Sequence, residues 1–177
     1  MNPRTLASLA FGAAVWCAAG VAQAQAQPAA APPAAAPVPQ YGTPINHDQA
    51  RRALAAAIAE ARRQNLPMAV AIVDTGGHLV AFERMDNTQT ASVQVAQDKA
   101  VSAAIYRRPT KVFQDALAGG GAGLRILSLA RASAVEGGLP IAVDGRIIGG
   151  IGVSGGTSEQ DGVVAKAGTD GMAAAAR

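Results

Sequence analysis

The chain has 177 residues, half of them apolar and 3% aromatic, with 15 Lys and Arg against 12 Asp and Glu for a formal charge of +3. After a removable leader this is one domain of ordinary size, and its many alanines imply a core built from small side chains. No basic tract of the kind that grips a phosphate backbone is present, so nucleic acid is not an expected partner.

Residues 1–24 combine a cationic start at Arg4, an apolar run from Leu6 to Val21 and the small-x-small end Ala22-Gln23-Ala24, which together read as a secretory signal peptide. A membrane span needs about 20 apolar residues with polar anchors on both sides; here Gly20 and Gln23 close the run early. Lipidation at Cys17 is disfavoured by the bulky Trp16 before it. Cleavage after Ala24 would remove the only cysteine, leaving no disulfide, thiolate metal site or cysteine nucleophile. A periplasmic or secreted location follows as an expectation, with no membrane association once the leader is gone. Residues 25–39 are almost wholly Ala, Pro and Gln and read as a flexible linker. Residues 40–177 remain as the globular domain.

The first predicted element of that domain is a helix over about Asn46–Asn65, where Ala50, Leu54, Ala57, Ile58 and Ala61 recur at helical spacing. Asn46 and Gln49 form a capping box at its start, and Pro67 ends it. Met68–Val73 and His78–Arg84 are short apolar strands joined through Gly76 and Gly77 as a β-hairpin. A second helix is predicted over about Thr90–Arg107, stopped by Pro109. Thr110 is placed as the cap of a short helix carrying Val112, Phe113 and Leu117, which Gly119-Gly120-Gly121 breaks. Leu124–Ala134 fits helix and strand equally. Leu139–Val143 and Arg146–Val153 flank Asp144-Gly145, a strong hairpin signal, and Thr157-x-x-Gln160 opens a terminal helix with a second capping box. The order α-β-β-α-α-β-β-α, with strands in hairpins rather than alternating singly with helices, argues for an α+β fold: a small antiparallel sheet flanked by helices.

Three stretches carry a resemblance. They are Val73-Asp74-Thr75-Gly76-Gly77-His78-Leu79-Val80-Ala81-Phe82-Glu83-Arg84-Met85-Asp86, then Asp98-Lys99-Ala100 followed by Arg107-Arg108-Pro109-Thr110, and lastly Gly137-Gly138-Leu139-Pro140 through Asp144-Gly145 to Gly152-Val153-Ser154-Gly155-Gly156. Together they resemble the GlcG/HbpS-like haem-binding family over nearly all of residues 45–175. The resemblance implies a profilin-like fold, homo-oligomerisation and, in some members, binding of haem; a related module is fused to cobalamin adenosyltransferases, and members associated with glycolate-utilisation genes have no clear activity.

Within that frame His78 is the sharpest candidate iron contact, because imidazole is the usual axial ligand and the sequence has only two histidines. Strand alternation puts it on one face with Val80 and Phe82, beside a Gly76-Gly77 turn that would admit a flat ligand to the backbone. The alternative is a hydrogen-bonded histidine that orders the turn. His47, in the first turn of the first helix, reads as a surface residue. Thr110 resembles a place where the family brings a hydroxyl near haem iron, although capping is the commoner use of a Thr after Pro. Lys99, beside an alanine face, could pair a propionate or snorkel to water; Tyr106, seven residues on, could line the same groove. Ser154-Gly155-Gly156-Thr157-Ser158 could seat an anion on exposed N–H groups or be a tight turn with a helix cap. Gly149, Gly150 and Gly152 in the last strand point to close approach by a helix, a subunit or a planar ligand.

No nucleophile elbow, zinc pattern or dinucleotide fingerprint is present, and spacing alone does not join Asp74, Glu83, Asp86 and Asp98 into acid/base pairs. The sequence therefore reads as an exported small-ligand protein binding haem or a related tetrapyrrole, with His78 as metal contact and a homo-oligomer as its form. The rival is a small enzyme or catalytic accessory acting on a carboxylate metabolite such as a hydroxy acid, with Gly155 and Gly156 as anion seat.

Overall fold

The computed structural model describes residues 37–174; the expected leader and most of the expected linker lie outside them. The elements are α1 (His47–Arg63), β1 (Ala69–Asp74), β2 (Leu79–Arg84), α2 (Ser92–Tyr106), α3 (Thr110–Ala118), a 3-10 helix (Gly121–Ser128), β3 (Gly138–Val143), β4 (Arg146–Ser154) and α4 (Ser158–Ala174). The four strands form one antiparallel sheet in the order β2-β1-β4-β3, so the two hairpins meet through their β1 and β4 members. This is the expected α+β class and order, with the 3-10 helix added.

Local chemistry accounts for the element ends. Asn46 accepts from the Gln49 N–H at 2.9 Å and Gln49 returns a bond to the Asn46 N–H at 3.0 Å, the reciprocal capping box. Thr157 and Gln160 do the same for α4, at 3.3 and 2.9 Å. Asp144 and Gly145 both take positive φ, 51° and 72°, as a two-residue hairpin turn requires. The undecided stretch resolves as the 3-10 helix followed by turns. Not one residue of that 3-10 helix is buried, so no packed face selects an α-helical or strand period there.

The sheet separates two unlike layers. On one face Val70, Ile72, Ile151 and Val153 join Ala53, Ala57, Ile58, Ala61 and Val164 of α1 and α4 in the larger core. On the other, Ala69, Ala71 and Val73 meet Ala96, Ala100 and Ala104 of α2. The second contact is closer because β4 offers glycines to it: a Cβ on Gly152 would lie 2.0 Å from the Ala96 carbonyl oxygen and one on Gly150 would lie 2.5 Å from that of Ala100. The three β4 glycines thus have a helix as the explanation for the two that face α2.

An ion pair spans the α2 layer. Lys99 is 1% exposed; its Nζ donates to Asp161 Oδ2 at 2.6 Å and to the Val153 carbonyl at 3.0 Å. Burial pushes the Asp161 carboxyl above its ordinary value, with Lys99 and the Gly156 N–H pulling the other way. Removing one partner of a buried pair leaves an uncompensated charge. We expect Lys99→Met to cost about 3–5 kcal/mol in urea unfolding, and Lys99→Met combined with Asp161→Leu to recover part of that loss. Equal losses in the single and double variants would contradict the pairing.

Candidate functional site

The β1–β2 turn is built on Asp74. Its Oδ1 accepts the Gly76 and His78 N–H groups at 2.8 and 2.9 Å, and its Oδ2 meets His78 Nδ1 at 3.0 Å. Gly77 closes the turn at φ 81°, a left-handed conformation that favours glycine. Burial acts to raise the Asp74 carboxyl, but the bonds from His78 and Gly76 outweigh it and hold the group below its ordinary value. The His78 side chain is 81% exposed. Nε2 has no hydrogen-bond partner among the described residues; in the tautomer that directs an Nδ1–H to the Asp74 carboxylate, Nε2 presents its lone pair, the arrangement that orients a metal-binding imidazole. His47 is exposed on α1, as expected for a surface residue.

The expected face of His78, Val80 and Phe82 does not form. The register slips between Ile72 and Val73, so that Ala81 pairs with Ile72 but Leu79 pairs with Val73, and the extra residue ends the strand's alternation. Phe82 then packs toward α2 while Val80 packs against the larger core. Leu79, 51% exposed, is the large apolar side chain next to His78.

Other candidates occupy structural posts. Lys99 neither snorkels nor reaches toward a propionate, because Asp161 and the Val153 carbonyl take its ammonium. Thr110 is fully buried and does not cap α3, whose N-cap is Pro109 without a side-chain bond. Its Oγ1 instead accepts the Gly138 N–H at 2.9 Å, tying α3 to β3. Tyr106 does not share a groove with Lys99: its hydroxyl donates to the Ala130 carbonyl at 2.7 Å and its ring stacks edge-on with Phe113 at 5.2 Å. At the expected anion seat, the Gly156 N–H is bonded to Asp161 Oδ1 at 3.0 Å and the Thr157 N–H to Gln160. Gly155 lies against Pro67 and Met68, a Cβ there falling 2.4 Å from the Pro67 carbonyl oxygen. The turn is thus filled from within the chain.

A cleft of about 590 Å³ does open beside the β1–β2 turn, between Gly77 and Leu79, the first half of α2 and residues 131–133. Val73, Leu79 and Val101 give it apolar surface; Gln94, Gln97, Asp98, Arg131 and Ser133 give it polar groups. His78 is not among its lining residues. Among the described residues no group of three or more His, Cys, Asp or Glu side chains converges as a metal site.

The family model for haem degrading protein HbpS-like matches residues 45–170. The chain belongs to the HbpS-like family. Protein GlcG of Escherichia coli strain K12 is 38% identical over 110 residues, covering 62% of this chain and 81% of GlcG. A double mutant of Streptomyces reticuli HbpS superposes with a TM-score of 0.67 at 29% identity, covering 78% of this chain and 97% of that one. The solved complex of PduOC with haem gives a TM-score of 0.66 at 27% identity, covering 73% and 95%.

Two features of this HbpS-like domain escaped the sequence reading. Asp161 is signalled only by Lys99, since a lysine amid a packed alanine face needs a counter-charge. Arg131 falls in a stretch without periodicity. The Asp74 carboxyl supplies a test of the turn itself: because it is held low in the folded chain, its contribution is complete above about pH 4 and is lost as pH falls through the folded value. We expect Asp74→Asn to be less stable than wild type at neutral pH, with the two urea midpoints converging as pH is lowered from about 6 toward about 2. Parallel profiles would show that the turn bonds carry no stability.

Proposed function

We propose that this chain binds haem or a closely related tetrapyrrole, with His78 as its contact to iron. The observation that carries the reading is the exposed imidazole whose Nδ1 is held by Asp74 and whose Nε2 is open. Membership of the HbpS-like family and likeness to PduOC, solved with haem, supply the ligand class. The residues fit the group at the iron contact: imidazole is a common haem ligand, and the carboxylate behind it fixes the ring's orientation. Bound haem would supply an iron centre that such a nitrogen could hold. The chain's own part is to fix the ring by Asp74, present Leu79 beside it, and keep the backbone low through Gly76 and Gly77.

Thr110 is not favoured as the contact, because its hydroxyl is buried on Gly138. Self-association forms part of the reading. Leu124, Leu127 and Leu129 are exposed by 53%, 74% and 41% along the 3-10 helix and its end, apolar surface that a second copy would cover. Export after cleavage at Ala24 to the periplasm or outside completes it, supported by the Arg4, Leu6-to-Val21 and Ala-Gln-Ala pattern.

Titration of the purified protein with haem should give a saturable Soret band. His78→Ala should weaken binding by about tenfold or more, about 1.4 kcal/mol, and shift the band. Thr110→Val should leave the spectrum unchanged while lowering stability by about 1–3 kcal/mol, since the Gly138 N–H loses its acceptor. An unaltered spectrum in His78→Ala with a change in Thr110→Val would reverse the assignment. Light scattering should give more than the monomer mass at micromolar concentration, a monomer mass contradicting self-association.

A further inference from the structure

The 590 Å³ cleft beside the β1–β2 turn carries chemistry that the His78 site does not use. Its Arg131 wall is held from both sides: the Tyr106 hydroxyl bonds the Ala130 carbonyl at 2.7 Å, and the buried Ser102 Oγ accepts the Ser133 N–H at 3.0 Å. Between these ties Arg131 takes φ 62°, a left-handed conformation unusual for a residue with a side chain. Its guanidinium lies across the cleft mouth, 3.4 Å from the Gly77 carbonyl oxygen. No carboxylate lies within ion-pair distance of it among the described residues, and Asp98, on the α2 wall, bonds only Gln94, at 2.9 Å. A cation, an anion and two amides therefore share one small cleft without neutralising one another.

We propose that this cleft is a binding site for a small organic acid with one carboxylate and one hydrogen-bond donor beside it, an amino acid or a hydroxy acid. Arg131 receives the ligand's carboxylate, as a planar fork suited to two parallel charge-assisted bonds. Asp98 receives its ammonium or hydroxyl, while Gln97 and Ser133 are placed to complete the polar contacts. Val73, Leu79 and Val101 supply apolar surface for the rest of the molecule, and the volume lies within the usual range for small-ligand sites, about 300–1,000 Å³. The pairing of one positive with one negative side chain favours a ligand with one carboxylate and one donor over a dicarboxylate, because a second carboxylate would face Asp98.

The test is a titration of the ¹⁵N-labelled full chain with serine, alanine, threonine, lactate and acetate, followed by the Gly77 and Ser133 amide signals. At least one of the first four should shift both signals saturably at millimolar concentration or below. Arg131→Gln should weaken that binding by about tenfold or more, with the rest of its spectrum unchanged because Arg131 is exposed. Acetate, which has no donor, should bind more weakly and be indifferent to Asp98→Asn, whereas the amino or hydroxy acid should lose affinity. No saturable shift with any of the four, or equal affinity in Arg131→Gln, overturns the proposal. Haem added to the acid-bound chain should leave the shifts in place. If haem abolishes them and Arg131→Gln weakens haem binding instead, the cleft serves the carboxylates of haem and the proposal is overturned. Failure to bind haem at all would count against the His78 reading alone.

Discussion

The approach of α2 to β4 sets the architecture on the site's side of the sheet. Ala96, Ala100 and Ala104 can reach the strand backbone because Gly150 and Gly152 present no side chain to them. That contact excludes water from Lys99, which sits on the same helix and turns toward Asp161. A buried ion pair is weak evidence of net stability, but its geometry is demanding, and here it joins α2, β4 and the start of α4 at one point. The small-residue layer and the pair fix how α2 lies over the sheet. The position of α2 in turn determines the cleft wall opposite the β1–β2 turn.

Much of this was legible in the chain. Both capping boxes, the Asp144-Gly145 hairpin and the helical alanine spacing rest on interactions within a few residues, and local chemistry decides them. The motifs spread over residues 73–156 pointed to the family, and the family model matches residues 45–170. What was hidden depends on distant partners. Nothing near Thr110 announces Gly138, 28 residues away, and nothing near Lys99 announces Asp161, 62 residues away. The slip between Ile72 and Val73 was invisible because alternation assumes an unbroken ladder; one extra residue sent Val80 and Phe82 to opposite layers.

A division of labour results. The polar side chains that the motifs made prominent, Lys99 and Thr110, are buried and bonded to the chain itself, and the Gly155-Gly156 turn is filled by Asp161 and packed on Met68. Around the β1–β2 turn, the groups with bonding capacity toward solvent include His78 on the turn and Arg131 with Asp98 in the cleft beside it. Asp74 serves this region twice, first as the cap that shapes the turn and then as the acceptor that orients the imidazole. The shape of the site and the chemistry of its histidine therefore depend on one carboxylate.

The most direct measurement is the ¹⁵N spectrum of the His78 ring in the chain without haem, under conditions where the imidazole is neutral. If Asp74 orients the ring for metal contact, the proton resides on Nδ1, Nε2 resonates as a bare nitrogen, and adding haem perturbs Nε2 first. A ring carrying its proton on Nε2, with no response of that nitrogen to haem, would contradict it.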